Sequence, residues 1–107
     1  MIALLLAVSI SFGGWSPPPA ALGGVRGIAS WYRYIPGRAA AGPALRRALG
    51  PAWRGSMVRV CRDAVCARVR LTDWCGCYGT RVIDLARTDF ARLGSPSLGI
   101  VRVEVTW

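Results

Sequence analysis

From Val69 to Leu85 the chain reads VRLTDWCGCYGTRVIDL, and this segment is the starting point for predicting the fold. Two apolar, β-branched runs end at Asp73 and Asp84, and a turn with cysteines and glycines lies between them. Such runs bounded by turn residues predict strands. The chain has only five acidic residues against fourteen basic ones. Two scarce acids at neighbouring strand ends therefore indicate a site rather than a solubilising surface.

A β-hairpin is predicted immediately before this stretch. Residues 56–62 and 65–72 alternate apolar and polar side chains. With Asp63 and Ala64 as the loop, Cys61 lies opposite Cys66, and the apolar residues of both strands share one face. The same alternation puts Asp73 on the core side. Because burying a carboxylate is costly, we expect Asp73 at the open end of the sheet, pointing into a cleft.

The remaining segments predict a mostly β domain with short helical inserts, since many short strands alternate with Gly- and Pro-containing turns. Glycine and proline mark the helix ends, and Thr88 is predicted to cap the second helix. The predicted elements are a strand at 27–34, a loop at 35–42, a helix at 43–50, a strand at 81–85, a helix at 88–94, a turn at 95–97 and a strand at 101–107.

The first 24 residues predict a signal peptide or hydrophobic leader followed by a Pro/Gly-rich linker. Residues 1–12 are apolar and uncharged, too short for a membrane span but suited to the h-region of a signal peptide. Residues 25–107 would then form one domain. We expect an exported protein in the extracellular space, cell wall or periplasm.

The net charge of +9 comes entirely from arginine, and the chain has no histidine. This charge favours anionic partners such as cell-wall polymers, acidic lipid surfaces or nucleic acid. The alternative is a solvated exterior without a partner. No nucleic-acid motif accompanies the charge, so nucleic acid is the less favoured partner. Without histidine, a His-based catalytic triad is excluded.

The four cysteines predict disulfides, since small exported domains often need them. The hairpin register favours a Cys61–Cys66 bridge, whereas Cys75 and Cys77 could bridge each other or pair otherwise. Their spacing is not that of a zinc site, so we expect no metal and no cofactor.

Several blocks of the chain resemble the RlpA-like (rare lipoprotein A) double-psi β-barrel family. Residues 27–32, GIASWY, resemble its opening G-x-A-S-W-Y, and residues 37–42, GRAAAG, resemble its G-x-x-T-A-x-G loop. Residues 69–73 stand where the family has V-R-V-x-D, and RVIDL at 81–85 resembles its R-[IV]-I-D-L-S block. The resemblance covers about residues 27–107 and implies a six-stranded double-psi β-barrel related to expansin and barwin domains.

The resemblance also implies a substrate, the glycan strands of peptidoglycan. In related lytic transglycosylases a carboxyl group protonates the glycosidic oxygen and the sugar's own C6 hydroxyl attacks C1. By this resemblance Asp84 is the candidate catalytic acid, and Asp73 assists it. Trp74, Tyr78, Tyr32 and Arg81 are candidate substrate-binding residues.

The chain departs from the family pattern at two catalytic positions. Family members regarded as active have a glutamate after the T-A-x-G loop and a histidine further on, and neither is present here. Either the two aspartates catalyse alone, or the domain is an expansin- or barwin-like module that binds without cutting. A basic secreted protein with another anionic target is a third alternative. In the non-catalytic interpretation the aspartates cap turns or pair with arginines such as Arg70 or Arg81, and Trp31 packs in the core.

Overall fold

The computed structural model describes residues 23–107, which contain six strands and two short helices. Proline begins the first helix, and glycine follows each helix at its C-terminal end. The elements are β1 (Gly24–Tyr32), β2 (Arg38–Ala41), α1 (Pro43–Leu49), β3 (Met57–Arg62), β4 (Val65–Trp74), β5 (Arg81–Ala86), α2 (Arg87–Leu93), a 3₁₀ turn (Pro96–Leu98) and β6 (Ile100–Thr106).

The six strands close into a barrel in the order β1-β5-β2-β4-β3-β6. The β1–β5 and β2–β4 pairs are parallel, and the other four pairs are antiparallel. This architecture confirms the predicted mostly β, six-stranded barrel with short helical inserts. Neither helix of residues 23–107 has the length and apolar character needed to cross a bilayer.

The interior of the barrel is filled by apolar side chains, which alternate along the strands with side chains on the outer face. Phe90 and Leu93 of α2 and Leu45 of α1 extend this core beyond the sheet. Trp31 packs against it and donates its indole N–H to the Pro96 carbonyl at 2.8 Å, as expected for a core residue. The strand residues of this core cluster are Ala29, Ala39, Ala41, Val58, Val60, Val69, Leu71, Val82, Ile83, Leu85, Val101, Val103 and Val105.

The β3–β4 hairpin has the predicted register. Cys61 lies opposite Cys66, and the two form a disulfide. Asp63 in the two-residue turn has φ of 54°, a left-handed conformation that aspartate tolerates better than most residues. Aspartate thus takes the backbone conformation for which hairpins usually use glycine.

The core-side face that alternation assigns to Asp73 is wrong, because β4 contains a bulge; Asp73 does lie near the end of the strand, as expected. On β2, Ala39 pairs with Leu71 but the next residue, Ala40, pairs with Asp73, so Thr72 has no partner in this pairing. Since strand side chains alternate between faces, one extra residue moves every later side chain to the opposite face. Asp73 therefore lies on the outer face and is exposed.

Two other local predictions need correction. The segment 35–42 is not entirely loop, because it contains β2 between two strands of the barrel. Thr88 does not cap the second helix. That helix begins one residue earlier, with Ala86 at the cap position and no side-chain capping bond.

The two ends of the described segment lie side by side. The Gly23 N–H donates to the Trp107 carbonyl, and the Trp107 N–H donates to the Gly23 carbonyl, each at 3.2 Å. The predicted leader, apart from its last two residues, lies outside the described residues.

Candidate functional site

The two aspartates lie in one row across four adjacent strands. Ser30 of β1 pairs with Asp84 of β5, Asp84 pairs with Ala40 of β2, and Ala40 pairs with Asp73 of β4. The chain neighbours of Ser30, Asp84 and Ala40 belong to the core or pack against it, and Asp73 is itself exposed, so the row lies on the outer face of the barrel. Two strand spacings separate the backbones of the aspartates, about 10 Å. We refer to Ser30, Asp84, Ala40 and Asp73 as the acidic row.

Asp84 is half-buried and accepts hydrogen bonds on both carboxylate oxygens. The Ser30 hydroxyl donates to Oδ1 at 2.9 Å, and the Tyr34 hydroxyl lies 3.4 Å from Oδ2. Ser30 comes from the neighbouring strand and Tyr34 from the loop that follows it. These two donors fix the orientation of the carboxylate across the barrel surface.

Tyr34 is a member of the site that the sequence did not predict. Partial burial raises the pKa of its phenol above the usual value of 10.0, and the negative charges of Asp84 and Asp73 raise it further, together with the hydrogen bond to Asp84. The charges of both aspartates therefore act on this phenol, which contacts Asp84 directly. The signal in the sequence that could have identified Tyr34 is an aromatic residue two positions after the end of β1.

Asp73 is exposed, and its Oδ1 accepts the backbone N–H of Trp74 at 2.8 Å. Within residues 23–107, neither this aspartate nor Asp84 forms an ion pair with an arginine; the ion pair found there joins Arg26 and Glu104. The Arg70 guanidinium instead donates to the Gly55 carbonyl at 2.7 Å. Both aspartates of the row are therefore open to other hydrogen-bond donors.

Exposed aromatic side chains border the acidic row at both ends. Tyr32 is 63% exposed and its ring centre lies 5.7 Å from that of Tyr34. At the other end, Trp74 is 57% exposed and directly follows Asp73. Tyr78 is 87% exposed in the loop between β4 and β5. The predicted binding residues Tyr32 and Trp74 thus lie next to row members.

The β4–β5 loop is fastened to the barrel beside the row. Cys75 and Cys77 form a disulfide, the connectivity that the sequence left open. The Cys75 N–H donates to the Ala41 carbonyl at 3.0 Å, and Cys77 is buried. Arg81 ends this loop, and its backbone N–H donates to the Tyr78 carbonyl. The Arg81 side chain is exposed and makes no hydrogen bond or ion pair with the acidic row.

Arg46 of α1 is a second residue that sequence reasoning missed. Its Nη1 donates to the Ala41 carbonyl at 2.6 Å and to the Cys75 carbonyl at 3.2 Å. Its guanidinium carbon lies 5.7 Å from the centre of the Trp74 ring. Arg46 therefore links α1, the end of β2 and the tryptophan beside Asp73.

A depression of about 1000 Å³ lies on another part of the barrel surface, along β1, β6 and the turn of the β3–β4 hairpin. Its acidic residues are Asp63 and Glu104, and Glu104 is engaged with Arg26. Neither aspartate of the acidic row lines it. We place the candidate site at the row, because carboxylates, hydroxyl donors and exposed aromatic rings converge there.

Solved structures share this architecture. A papain inhibitor from Streptomyces is 23% identical with a TM-score of 0.62, over 80% of this chain and 94% of the inhibitor. An expansin from Clavibacter michiganensis in its apo form is 22% identical with a TM-score of 0.64. An aspartate-to-asparagine mutant of that expansin, in complex with cellohexaose, is 21% identical with a TM-score of 0.63.

The region that matches the expansin covers 78% of this chain but only 50% of the expansin chain. This chain therefore spans about half the length of the expansin. No family model and no curated protein matches the sequence. At these identities the comparisons establish the fold alone. Together with the strand order, they identify the described part of the chain as a double-psi β-barrel.

Proposed function

We propose that this chain is an exported polysaccharide-binding barrel whose acidic row holds a glycan strand. The observation that carries the proposal is the row itself: Asp84 and Asp73 lie two strands apart, and within residues 23–107 neither pairs with an arginine. Tyr34 donates to Asp84, and exposed Tyr32 and Trp74 lie nearby. Sugar hydroxyls donate well to carboxylates, and sugar rings pack on exposed aromatic faces. A row of this composition provides both kinds of contact.

The expansin neighbour in complex with cellohexaose supports a saccharide as the ligand class. The narrower ligand that we propose is peptidoglycan, on the RlpA-like blocks of the sequence. The charge of +9 also favours it, because peptidoglycan carries carboxylates. Export is supported by the two disulfides, which persist in oxidising compartments, and by the predicted leader.

Binding is tested with the purified protein, insoluble peptidoglycan sacculi and soluble cellohexaose. We expect Trp74→Ala to weaken binding about fivefold, since an aromatic stacking contact contributes roughly 1 kcal/mol. Val65→Ala is the matched control, because Val65 is 50% exposed and lies beside the β3–β4 hairpin turn, at the other end of β4 from Asp73. Absence of binding to both glycans by the wild type, at moderate salt, would refute the proposal.

Glycan cleavage is the more specific form of the proposal, with Asp84 as acid and then base. Protonated Asp84 would give its proton to the glycosidic oxygen as the C1–O bond breaks. The C6 hydroxyl would then attack C1 and return its proton to the Asp84 carboxylate, so no water is consumed. The half-buried position of Asp84 supports this assignment, and the hydroxyl groups of Ser30 and Tyr34 hold its carboxyl in one orientation.

Cleavage is tested by mass spectrometry of digested glycan strands. We expect 1,6-anhydro muropeptides from the wild type and none from Asp84→Asn. Sacculus binding that survives in both proteins, with no anhydro product from either, would establish a binding module and reject catalysis.

Protease inhibition is a second candidate function, favoured by one feature of the structure. Tyr78 is 87% exposed and directly follows the Cys75–Cys77 bridge, which constrains the start of its loop, and a preformed exposed loop binds with little ordering cost. The papain inhibitor neighbour supports papain-like enzymes as targets. Stoichiometric loss of papain activity, relieved by Tyr78→Ala, is the expected result. Unchanged papain activity at excess protein would reject this function.

A further inference from the structure

A second cluster of side chains adjoins the acidic row and is strongly basic. Two of its residues, Arg46 and Arg47, belong to α1, and Arg46 lies beside Trp74. The other two, Trp53 and Arg54, lie in the segment between α1 and β3. Part of the cluster lines a depression of about 400 Å³, together with Pro43, Gly50 and Pro51. We refer to Arg46, Arg47, Trp53 and Arg54 as the basic cluster.

Cations and aromatic rings alternate through this cluster. The guanidinium carbon of Arg54 lies 4.7 Å from the Trp53 ring centre, and that of Arg46 lies 5.9 Å from the same ring. Arg46 also lies 5.7 Å from the Trp74 ring centre. These cation–π contacts hold the guanidinium groups in place without neutralising their charge.

The guanidinium groups have donors left for a ligand. Arg46 uses Nη1 for two backbone carbonyls, and Arg54 uses its Nη1 for the Thr72 carbonyl at 2.6 Å. A guanidinium has five N–H donors, so most remain unused. Within the part of the chain that the structure describes, no carboxylate lies within ion-pair distance of Arg46, Arg47 or Arg54. The cluster is therefore an oriented, uncompensated positive surface.

From these contacts we infer that the basic cluster is an anion subsite, which binds a carboxylate carried by the glycan whose strand lies on the acidic row. The inference rests on the proposed function and narrows its ligand to acidic polysaccharides. Trp74 connects the two regions, since it follows Asp73 in β4 and contacts Arg46. A planar carboxylate suits the forked donors of arginine. Asp84 and Asp73 would contact hydroxyl groups, and the basic cluster would contact the charge.

The experiment compares neutral and acidic oligosaccharides of equal length by calorimetry. Cellohexaose is the neutral probe and hexagalacturonate is the carboxylated probe. We expect the wild type to bind hexagalacturonate at least tenfold more tightly than cellohexaose. We expect Arg47→Gln/Arg54→Gln, which leaves Arg46 and its contacts with the site in place, to remove most of this preference while cellohexaose affinity stays within twofold.

A matched control separates a specific subsite from general charge attraction. Arg68→Gln/Arg102→Gln removes the same two charges from exposed positions on β4 and β6 outside the cluster. It should retain the preference within about twofold. Arg47→Gln alone is the second test variant, because Arg47 is exposed and makes no hydrogen bond to the rest of the described chain, so its loss should leave the fold intact. Thermal unfolding of each variant verifies this.

Equal losses in the two double variants would overturn the inference, since the preference would then depend only on net charge. Equal wild-type affinity for both oligosaccharides would also overturn it, while leaving the proposed function in place. Tighter binding of a glycerol-phosphate polymer than of hexagalacturonate would reject a carboxylate as the ligand. Failure of the wild type to bind any glycan would instead refute the proposed function itself.

Discussion

Tyr34 is the residue whose chemistry reports most directly on the site. Its phenol donates to Asp84 and experiences the charge of Asp73 as well. The neutral phenol is therefore favoured in the folded protein. Because its pKa is raised above 10.0, any stability that depends on this shift is present below pH 10 and is lost as the pH rises through the raised value.

We expect Asp84→Asn to lower the Tyr34 pKa towards its usual value. The substitution removes the negative charge and replaces the acceptor by an amide, while burial of the phenol remains. Ultraviolet titration of tyrosinate absorbance measures the pKa, and Tyr34→Phe identifies the contribution of this residue among the three tyrosines. Glu104→Gln should leave the titration unchanged. An unchanged pKa in Asp84→Asn would show that the two side chains are not in contact in solution.

Among single residues, the sequence selects the two acids that the structure places in one row, but it does not predict the face on which Asp73 lies. The scarcity of carboxylates singled out Asp73 and Asp84, and both lie in the acidic row. The orientation of Asp73 depends on the Thr72 bulge, which period-two alternation does not predict. Tyr34 and Arg46 reach the site through contacts between distant segments, and no local pattern encodes such contacts.

The helix α2 and the loop before β2 are joined by one buried acid. Asp89 is 7% exposed, and its Oδ2 accepts the Gly37 N–H at 2.7 Å. The same loop carries Tyr34, three residues before Gly37. Asp89 therefore positions the loop from which Tyr34 reaches Asp84.

We expect Asp89→Ala to cost about 1–3 kcal/mol of unfolding free energy, since it leaves the Gly37 N–H without its acceptor. Asp89→Asn keeps a side-chain carbonyl at this position and should recover most of the loss. Urea unfolding measures both variants. Equal losses in the two would mean that the negative charge, rather than the acceptor, stabilises the loop.

The start of α1 depends on a close backbone approach at Gly42. Its N–H donates to the Val82 carbonyl at 2.8 Å. A Cβ at this position would lie 2.9 Å from the carbonyl oxygens of Arg81 and Val82. These are backbone atoms of β5, so a side chain could fit only if α1 or β5 moved.

We expect Gly42→Ala to lower the free energy of unfolding by about 1–3 kcal/mol, the usual cost of overpacking. Because α1 carries Arg46, the same variant should weaken the preference for acidic glycans. Gly76→Ala is the matched control, since a Cβ there has no atom within 4 Å. Calorimetric unfolding compares the two, and similar melting temperatures would contradict the close-packing argument.

Among the strands, those within residues 57–72 and 100–106 are predicted by the alternation of apolar and polar side chains. The strand β2 is not predicted by this alternation. Its sequence is RAAA, and alanine has a low strand propensity. This segment is a strand because β4 and β5 provide hydrogen-bonding edges on both of its sides. Small side chains are needed at this position, since Ala40 lies fully buried between the two aspartates of the row.

On the scale of the whole molecule, the two disulfides act on short segments. Cys61 and Cys66 are five residues apart, and Cys75 and Cys77 are two apart. Chain-entropy arguments give roughly 2 kcal/mol for the first bridge and less for the second. The closed, fully paired barrel must therefore provide most of the stability.

We expect Cys61→Ser/Cys66→Ser to lower the unfolding free energy by roughly 2 kcal/mol and to leave glycan binding unchanged. Cys75→Ser/Cys77→Ser should cost less stability but weaken glycan binding, because this bridge lies in the loop that contacts Arg46 through the Cys75 carbonyl. Urea unfolding and calorimetry measure the two effects. The reverse pattern would show that the β4–β5 loop does not shape the site.

The reciprocal bonds between Gly23 and Trp107 also make the barrel a candidate for circular permutation. A short peptide joining these two residues would connect strands that are already neighbours. The chain could then be opened between Asp63 and Ala64, where the Cys61–Cys66 bridge would keep the new ends tethered. Such a rearranged chain should reach the same native topology through a different order of strand synthesis, with the acidic row intact on its surface.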